Sequence, residues 1–203
     1  MDGIIKGNFA KNYDKNLFSK KELFKPNCFL NREVPKEKIL VDLCCGSGVS
    51  IMYLKDRCKK IIGIDGSSDM IQICKNRFCY DKNVQLKIGL ANNTGLPNCF
   101  CDIVLLRMGL HHIKNKKDVI NESYRILKKG GKLLIMDRFL MYNKFFTFIL
   151  DSIRNIKRGN FIVGHHYCKI EDLLNICTNF KHSYKTEVKQ KFLIKSNLIF
   201  IKK

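Results

Sequence analysis

Lys38-Ile39-Leu40-Val41-Asp42-Leu43-Cys44-Cys45-Gly46-Ser47-Gly48 is the stretch whose reading decides the fold. Ile39, Leu40 and Val41 form a short apolar run, the pattern of a strand buried on both faces. Asp42 ends the run, and Gly46 and Gly48 permit a turn tight enough to bring backbone N–H groups close to a ligand. Val49 to Arg57 then reads as a helix whose N-terminus faces the same crevice. Lys60-Ile61-Ile62-Gly63-Ile64-Asp65 follows as a second buried strand with an acid at its carboxyl end. An acid about 20 residues beyond such a turn is placed to bind the vicinal hydroxyls of a ribose. The expectation is a nucleoside-containing cofactor in an open α/β sheet.

A dinucleotide fingerprint needs a third glycine three residues after the second. That position holds Ile51, which argues against a nicotinamide or flavin site. With Cys44 at the first glycine position, Asp42 to Gly48 instead resembles the acid-x-Gly-x-Gly-x-Gly turn of class I S-adenosylmethionine-dependent methyltransferases (type 11, UbiE-like). Further stretches are similar to that family, in its order. They are Gly63-Ile64-Asp65-Gly66-Ser67-Ser68-Asp69-Met70, then Gly95-Leu96-Pro97 with Cys101-Asp102-Ile103-Val104-Leu105-Leu106. Gly109-Leu110-His111-His112-Ile113 and Arg125 to Ile135 complete the series. The resemblance covers residues 9–138. It implies a Rossmann-like three-layer sandwich with a mainly parallel seven-stranded sheet and a C-terminal antiparallel hairpin. It also implies S-adenosyl-L-methionine as cofactor, held by Tyr13, Asp42, Cys44, Gly46, Ser47, Gly48, Asp65, Gly66, Met70, Ala91, Asn92 and Arg107. Two departures stand out. Leu90 lies where the family commonly carries an acid for the adenine amino group, which leaves adenine to backbone groups, Asn92 or Asn93. Quinone methyltransferases share the Cys-Cys-Gly turn but carry Arg-Asn where this chain has His111-His112.

A chain of 203 residues is long enough for one well-buried α/β domain and short for two, so residues 1–203 read as a single domain. No apolar run reaches the roughly 18 residues of a bilayer span. Met1 to Gly7 has no apolar signal core, so a cytoplasmic location is expected. The 10 cysteines are scattered through strands and helices, which fits buried thiols in a reducing cytoplasm. Their close pairs, Cys44/Cys45 and Cys99/Cys101, lack the gap of a chelating pair, so no metal site is read. The scatter also raises arsenite methylation, a chemistry of the resembled superfamily that uses cysteine thiolates, but nothing in these residues resembles that subfamily's extra C-terminal region, so it stays a remote option. The formal charge of +20 could mark nucleic-acid or anionic-membrane binding, but its cations are spread from end to end as singles and pairs. A solvated basic surface is the plainer reading. No obligate protein partner is evident.

Along the chain, Phe9, Tyr13, Leu17 and Phe18 stand at helical spacing within residues 1–36, read as a short helix and then a loop through Pro26 and Pro35. In the resembled family such a segment caps the cofactor, which brings Tyr13 to its methionine end; core packing is the alternative. Ser67 can cap a helix to about Tyr80 that buries Met70, Ile71 and Cys74. Val84 to Ile88 and Cys101 to Leu106 read as strands, Arg107 to His112 as a loop, and Lys116 to Leu127 as a helix. Lys129-Gly130-Gly131 turns the chain into a strand from Lys132 to Met136. Phe139 to Ile156 is a long apolar segment within 139–167, expected to form a substrate lid. A rival reading lays it on a membrane surface through Lys144, Arg154, Lys157 and Arg158. Ile170 to Cys177 reads as a helix, and His182 to Val188 with Phe192 to Ile201 as the closing hairpin.

Methyl transfer from a sulfonium is a bimolecular displacement whose main demand is alignment in a site shielded from water. A general base helps where the acceptor has a proton to lose. His111 and His112 after the fourth strand, Asp137 after the fifth, and His165 or His166 in the lid are candidates, each with a structural alternative. The function read from the sequence is methylation of a small molecule, with RNA methylation or non-catalytic binding on the same fold as alternatives.

Overall fold

The structure, a computed structural model, describes residues 6–18, 28–140, 166–190 and 193–203. Its strands are β1 (Ile39–Leu43), β2 (Lys60–Asp65), β3 (Val84–Ile88), β4 (Cys101–Arg107), β5 (Leu127–Leu140), β6 (Phe180–Gln190) and β7 (Leu193–Lys202). They form one sheet in the order β3-β2-β1-β4-β5-β7-β6. The pairs from β3 through β5 are parallel, and β7 runs antiparallel to both β5 and β6. The described helices are α1 (Gly7–Phe18), α2 (Cys28–Glu33), α3 (Val49–Leu54), α4 (Ser68–Arg77), α5 (Lys116–Ile126) and α6 (Ile170–Ile176). The expected Rossmann-like layers and mainly parallel seven-stranded sheet are therefore present. None of these helices is long and apolar enough to cross a membrane.

Strand alternation sorts the core into two layers. Val41, Leu43, Val104, Leu106, Leu133 and Ile135 face α5 and α6, where they meet Val119, Ile120 and Leu173. Leu40, Ile61, Ile103, Leu105 and Leu134 face the other way, onto Leu30, Ile51, Leu54 and Ile71 of α2, α3 and α4. Burial on both sides is why the central strands read as unbroken apolar runs. The chain builds β1, β2 and β3 outward, then returns to place β4 on the other side of β1. Between β1 and β4 the strand order reverses, and a crevice opens beyond the strand ends there.

Ser67 is the N-cap of α4; its Oγ accepts the Met70 N–H at 3.1 Å, and Met70, Ile71 and Cys74 are buried as expected. Asp69 Oδ2, in the first turn of that helix, accepts the Gly7 N–H at 2.7 Å. Arg77 at its far end donates to Asp14 Oδ2 at 2.8 Å and Oδ1 at 3.1 Å. These two ties fasten α1 along α4, which brings Tyr13 over the crevice.

Several boundaries differ from the sequence reading. The first crossover helix, α3, stops at Leu54 rather than Arg57, and Arg57 turns back to donate to the carbonyls of Asn31 and Val34 at 2.8 and 3.0 Å. Those carbonyls belong to and follow α2, a helix where a loop was expected; Phe29 and Leu30 bury it against the sheet. Phe139 does not begin the lid segment, which was expected over 139–167. It and Leu140 extend β5, because β7 offers Ile194 and Leu193 as antiparallel partners. The lid segment 141–165, with His165 and the proposed membrane-facing cations, lies outside the described residues, as do the side chains of Phe9, Leu17 and Phe18. Among the described cysteines, all free thiols, Cys79 and Cys99 are exposed rather than buried.

Candidate active site

The glycine turn is shaped by its contacts as much as by its glycines. Cys44, Gly46 and Gly48 all take positive φ, at 58°, 55° and 91°. A side chain at φ near 58° is strained, and Cys44 is accommodated because Gly109 approaches it without a Cβ. A methyl added at Gly109 would stand 2.5 Å from the Cys44 Cβ. A Cβ on Gly48 would meet the Phe78 ring at 2.4 Å and Cys74 Sγ at 2.7 Å, so this residue serves the close packing of α4. Ile51, the bulky residue at the third glycine position of the dinucleotide pattern, finds its space elsewhere. Gly63 on β2 lacks the Cβ that would sit 3.0 Å from Ile51 Cδ1. The close helix–strand approach that a third glycine allows in dinucleotide sites is thus obtained from the strand.

Asp65 fastens this turn to β2. Its Oδ2 accepts the Gly46 N–H at 2.8 Å and its Oδ1 accepts the Ser67 N–H at 2.8 Å. Burial raises its pKa against the opposing effect of those two donors. An ionised carboxylate has about four acceptor positions, so each oxygen retains capacity for a ligand hydroxyl.

A cavity of about 320 Å³ opens beyond the strand ends, within the size range of small-ligand sites. Of the residues expected to hold a cofactor, Tyr13, Cys44, Gly46, Asp65, Gly66, Met70, Ala91 and Asn92 border it, and so does His112. Leu90 lines it with half its surface exposed and makes an isolated bridge to Asn93. Gly89, Met108, Gly109, Ile113, Lys114, Asn115 and Val119 complete the wall. Of these, Met108 carries a positive φ of 55°, a constraint with no glycine to announce it in the sequence. Lys114 and Asn115 are ordinary loop residues whose position follows only from the packing of α5.

Asp42, Ser47, Gly48, Arg107, His111 and His166 do not border the cavity. Ser47 is buried, and its carbonyl accepts from the Arg77 guanidinium. Asp42 lies at the foot of the turn, 1% exposed, with a hydrogen bond from Ser50 to its carboxylate. Its Oδ2 has no hydrogen-bond partner among the described residues. Burial pushes its pKa up to about 7, with Asp65 adding to the rise and Arg107 opposing it. Cys44 is likewise pushed well above the usual thiol range, by burial first and then by Asp65, Asp42 and Asp137. That thiol stays protonated, a poor nucleophile and a poor metal ligand.

His111 occupies the opposite face. Its Nδ1 stands 2.6 Å from Asp137 Oδ1 and its backbone N–H donates to Asp137 Oδ2 at 3.2 Å. The same carboxylate accepts the Arg138 N–H at 2.7 Å. An ionised Asp137 requires the proton on Nδ1, which leaves Nε2 as the acceptor nitrogen. The ring stacks on Tyr167 at 5.3 Å and lies 4.0 Å from the ring of His112. The His166 N–H donates to the His111 carbonyl at 2.6 Å, and Lys116 Nζ donates to the carbonyls of Ile113 and His166. The short 3₁₀ turn Leu110–His112 is thus held from several sides with His112 at the cavity wall.

Residues 41–135 match the family model described as a methyltransferase domain. YcgJ of Bacillus subtilis, named an uncharacterized methyltransferase, is 26% identical over 110 residues, 53% of this chain and 43% of that protein. Demethylmenaquinone methyltransferase of Thermotoga maritima is 31% identical over 117 residues, 57% of this chain and 49% of the relative. The matched stretch thus spans less than half the length of either relative. The crystal structure of YcgJ has the same fold, with a TM-score of 0.73 at 14% identity over 86% of this chain and 96% of that one. So has geranyl diphosphate C-methyltransferase of Streptomyces coelicolor, solved with S-adenosyl-L-homocysteine. Its TM-score is 0.71 at 12% identity, over 86% and 75% of the two chains.

Proposed function

We propose that this chain, whose residues 41–135 match a methyltransferase-domain model, is an S-adenosylmethionine-dependent enzyme that methylates a small-molecule acceptor by direct displacement at the sulfonium. One observation carries the cofactor assignment. Asp42 buries a carboxylate oxygen with no partner among the described residues, at the foot of a glycine turn that opens on the cavity. An unsatisfied buried acceptor costs about 1–3 kcal/mol, more when charged, and a cationic ligand group at the turn removes that cost. The ammonium of S-adenosylmethionine is such a group, acting through ordered water because Asp42 lies behind the cavity wall. Asp65 offers its remaining lone pairs to ribose hydroxyls, and Met70 with Leu90 supplies apolar wall for a base. The residues present fit the cofactor. When bound, it supplies a methyl group on a positively charged sulfur, already activated for displacement.

The protein's part is placement and exclusion of water. Tyr13 on α1 lies at the mouth, and Ile113 and Val119 line the wall with apolar surface. Where the acceptor has a proton to lose, His112 is the side chain at the wall that can accept it. His111 acts behind it, held by Asp137. Relatives named demethylmenaquinone methyltransferase favour a small acceptor over a macromolecule.

Calorimetric titration with S-adenosylmethionine tests the cofactor, and absence of binding sinks the reading. Tritiated methyl transfer from labelled cofactor is then measured separately into a small-molecule extract and into total RNA. Incorporation into the small-molecule fraction is expected, with only weak RNA association that disappears near physiological salt. Incorporation into RNA well above a heat-killed control would favour RNA methylation instead.

A further inference from the structure

The sheet face that packs on α2 and α3 ends in two arginines whose guanidiniums have no hydrogen-bond or ion-pair partner among the described residues. Alternation puts Arg107 on the same face as Leu105, and Arg138 on the same face as Leu134 and Met136. Arg107 pairs by register with Met136, so Arg138 lies two residues farther along the neighbouring strand. Directly across the next ladder, Arg138 faces Lys195 of β7. Like charges opposed in an antiparallel pair are destabilising.

The other described arginines are engaged. Arg32 bonds Glu33, Arg57 bonds two carbonyls, Arg77 bonds Asp14, and Arg125 bonds Glu122. Arg107 and Arg138 are both half-buried, yet neither guanidinium has a hydrogen-bond or ion-pair partner among the described residues. Partial burial of an unpaired cation costs desolvation that a bound anion offsets. Asp42 on this face feels Arg107, but burial outweighs that effect and raises its pKa to about 7, which makes it only a partial counter-charge. Tyr13, which lines the cavity, feels both guanidiniums. Burial raises the Tyr13 pKa, and Arg107 and then Arg138 oppose the rise.

We propose that Arg107 and Arg138 together grip an oxyanion, a carboxylate or a phosphate, on the methyl acceptor, which is therefore a small acidic molecule. This rests on the methyltransferase reading. It reassigns Arg107 from the cofactor to the acceptor and adds Arg138 as a specificity residue. The planar guanidinium fork suits both oxyanions, and two forks on adjacent strands fix the acceptor's orientation as well as its charge. Neither arginine borders the cavity, but Met108 and Gly109, which follow Arg107 in the chain, do, and that cavity takes the rest of the molecule.

The full chain is titrated calorimetrically with inorganic phosphate and separately with malonate, and S-adenosylhomocysteine binding is measured on the same preparations. Both wild-type anion titrations are compared with Arg107→Gln, Arg138→Gln and Arg138→Lys, and with a Lys59→Gln/Lys129→Gln control that removes exposed charge elsewhere. Each Gln variant is expected to weaken the better-bound anion at least tenfold, Arg138→Lys to fall between, and the control to match wild type. Preference for phosphate or malonate tells which oxyanion the acceptor carries. Equal loss in the lysine control overturns the proposal, because the overall positive field then suffices. So does unchanged anion affinity in both Gln variants, or loss of S-adenosylhomocysteine binding in Arg138→Gln with anion binding intact. Absence of S-adenosylhomocysteine binding in wild type would instead refute the methyltransferase reading, whatever the anions do.

Discussion

Replacing Asp42 by Asn should make the ligand-free protein more stable and its cofactor site worse. Burial raises the Asp42 pKa from 3.8 to about 7 in the folded state. The folded protein therefore binds a proton that the unfolded chain has lost between those values. The stability this group contributes is fully present below pH 3.8 and is lost as pH rises through about 7. One pKa unit corresponds to about 1.36 kcal/mol, so the two units from pH 5 to the folded pKa amount to about 3 kcal/mol. Over the whole shift of about three units the loss is about 4 kcal/mol. Asn is close to Asp in volume and does not titrate, so its stability should lack this decline. Urea unfolding of both proteins at pH 5 and pH 8 measures it. The stability of Asp42→Asn relative to wild type should rise by about 3 kcal/mol between the two conditions. S-adenosylmethionine affinity should fall at least tenfold at pH 8, where the charge is lost to the ligand's ammonium. A stability difference that does not change between pH 5 and pH 8 would refute the burial argument. Unaltered cofactor affinity would refute the role given to the unpartnered oxygen.

Asp65→Ala should weaken S-adenosylmethionine binding by about 1.5–3 kcal/mol, roughly tenfold to 150-fold, since it removes charged hydrogen bonds and releases the Gly46 N–H. Unchanged calorimetric affinity would mean that this acid has another task. Leu90→Asp should preserve or tighten binding, because the side chain is half-exposed at the cavity and an acid there needs little desolvation; a large loss would show a differently built adenine pocket. Gly48→Ala should cost about 2–4 kcal/mol in denaturant unfolding, from the left-handed backbone and the collision with Phe78. A cost under 1 kcal/mol would show that α4 yields more readily than its packing implies.

The central strands, the capped start of α4 and the position of Asp65 were legible in the sequence. Each is set by neighbours a few residues away: an apolar run long enough for one strand, a serine hydroxyl within reach of the Met70 N–H, glycines where φ turns positive. The order of these units then restricted the topology, because crossovers between parallel strands run one way. The resemblance carried by Asp42 to Gly48 and the stretches after it pointed to the family whose methyltransferase-domain model residues 41–135 match.

What the sequence left open depends on partners distant along the chain. The space for Ile51 comes from Gly63, and the room beside Cys44 comes from Gly109, so a missing glycine on one element is answered on another. Phe139 and Leu140 read as the start of the substrate lid until β7 offers them a ladder. His111 meets Asp137 at 26 residues' separation, through two strands that end side by side. Arg107 and Arg138 share a face only because β4 and β5 pair in the register that sets Arg107 opposite Met136, where a slip of one residue would turn them to opposite sides. The one-dimensional pattern determined the scaffold and the glycine turn that opens on the crevice. Burial and strand register, which are properties of the whole packed sheet, decided which charges are left unpaired and which side chains meet at the site.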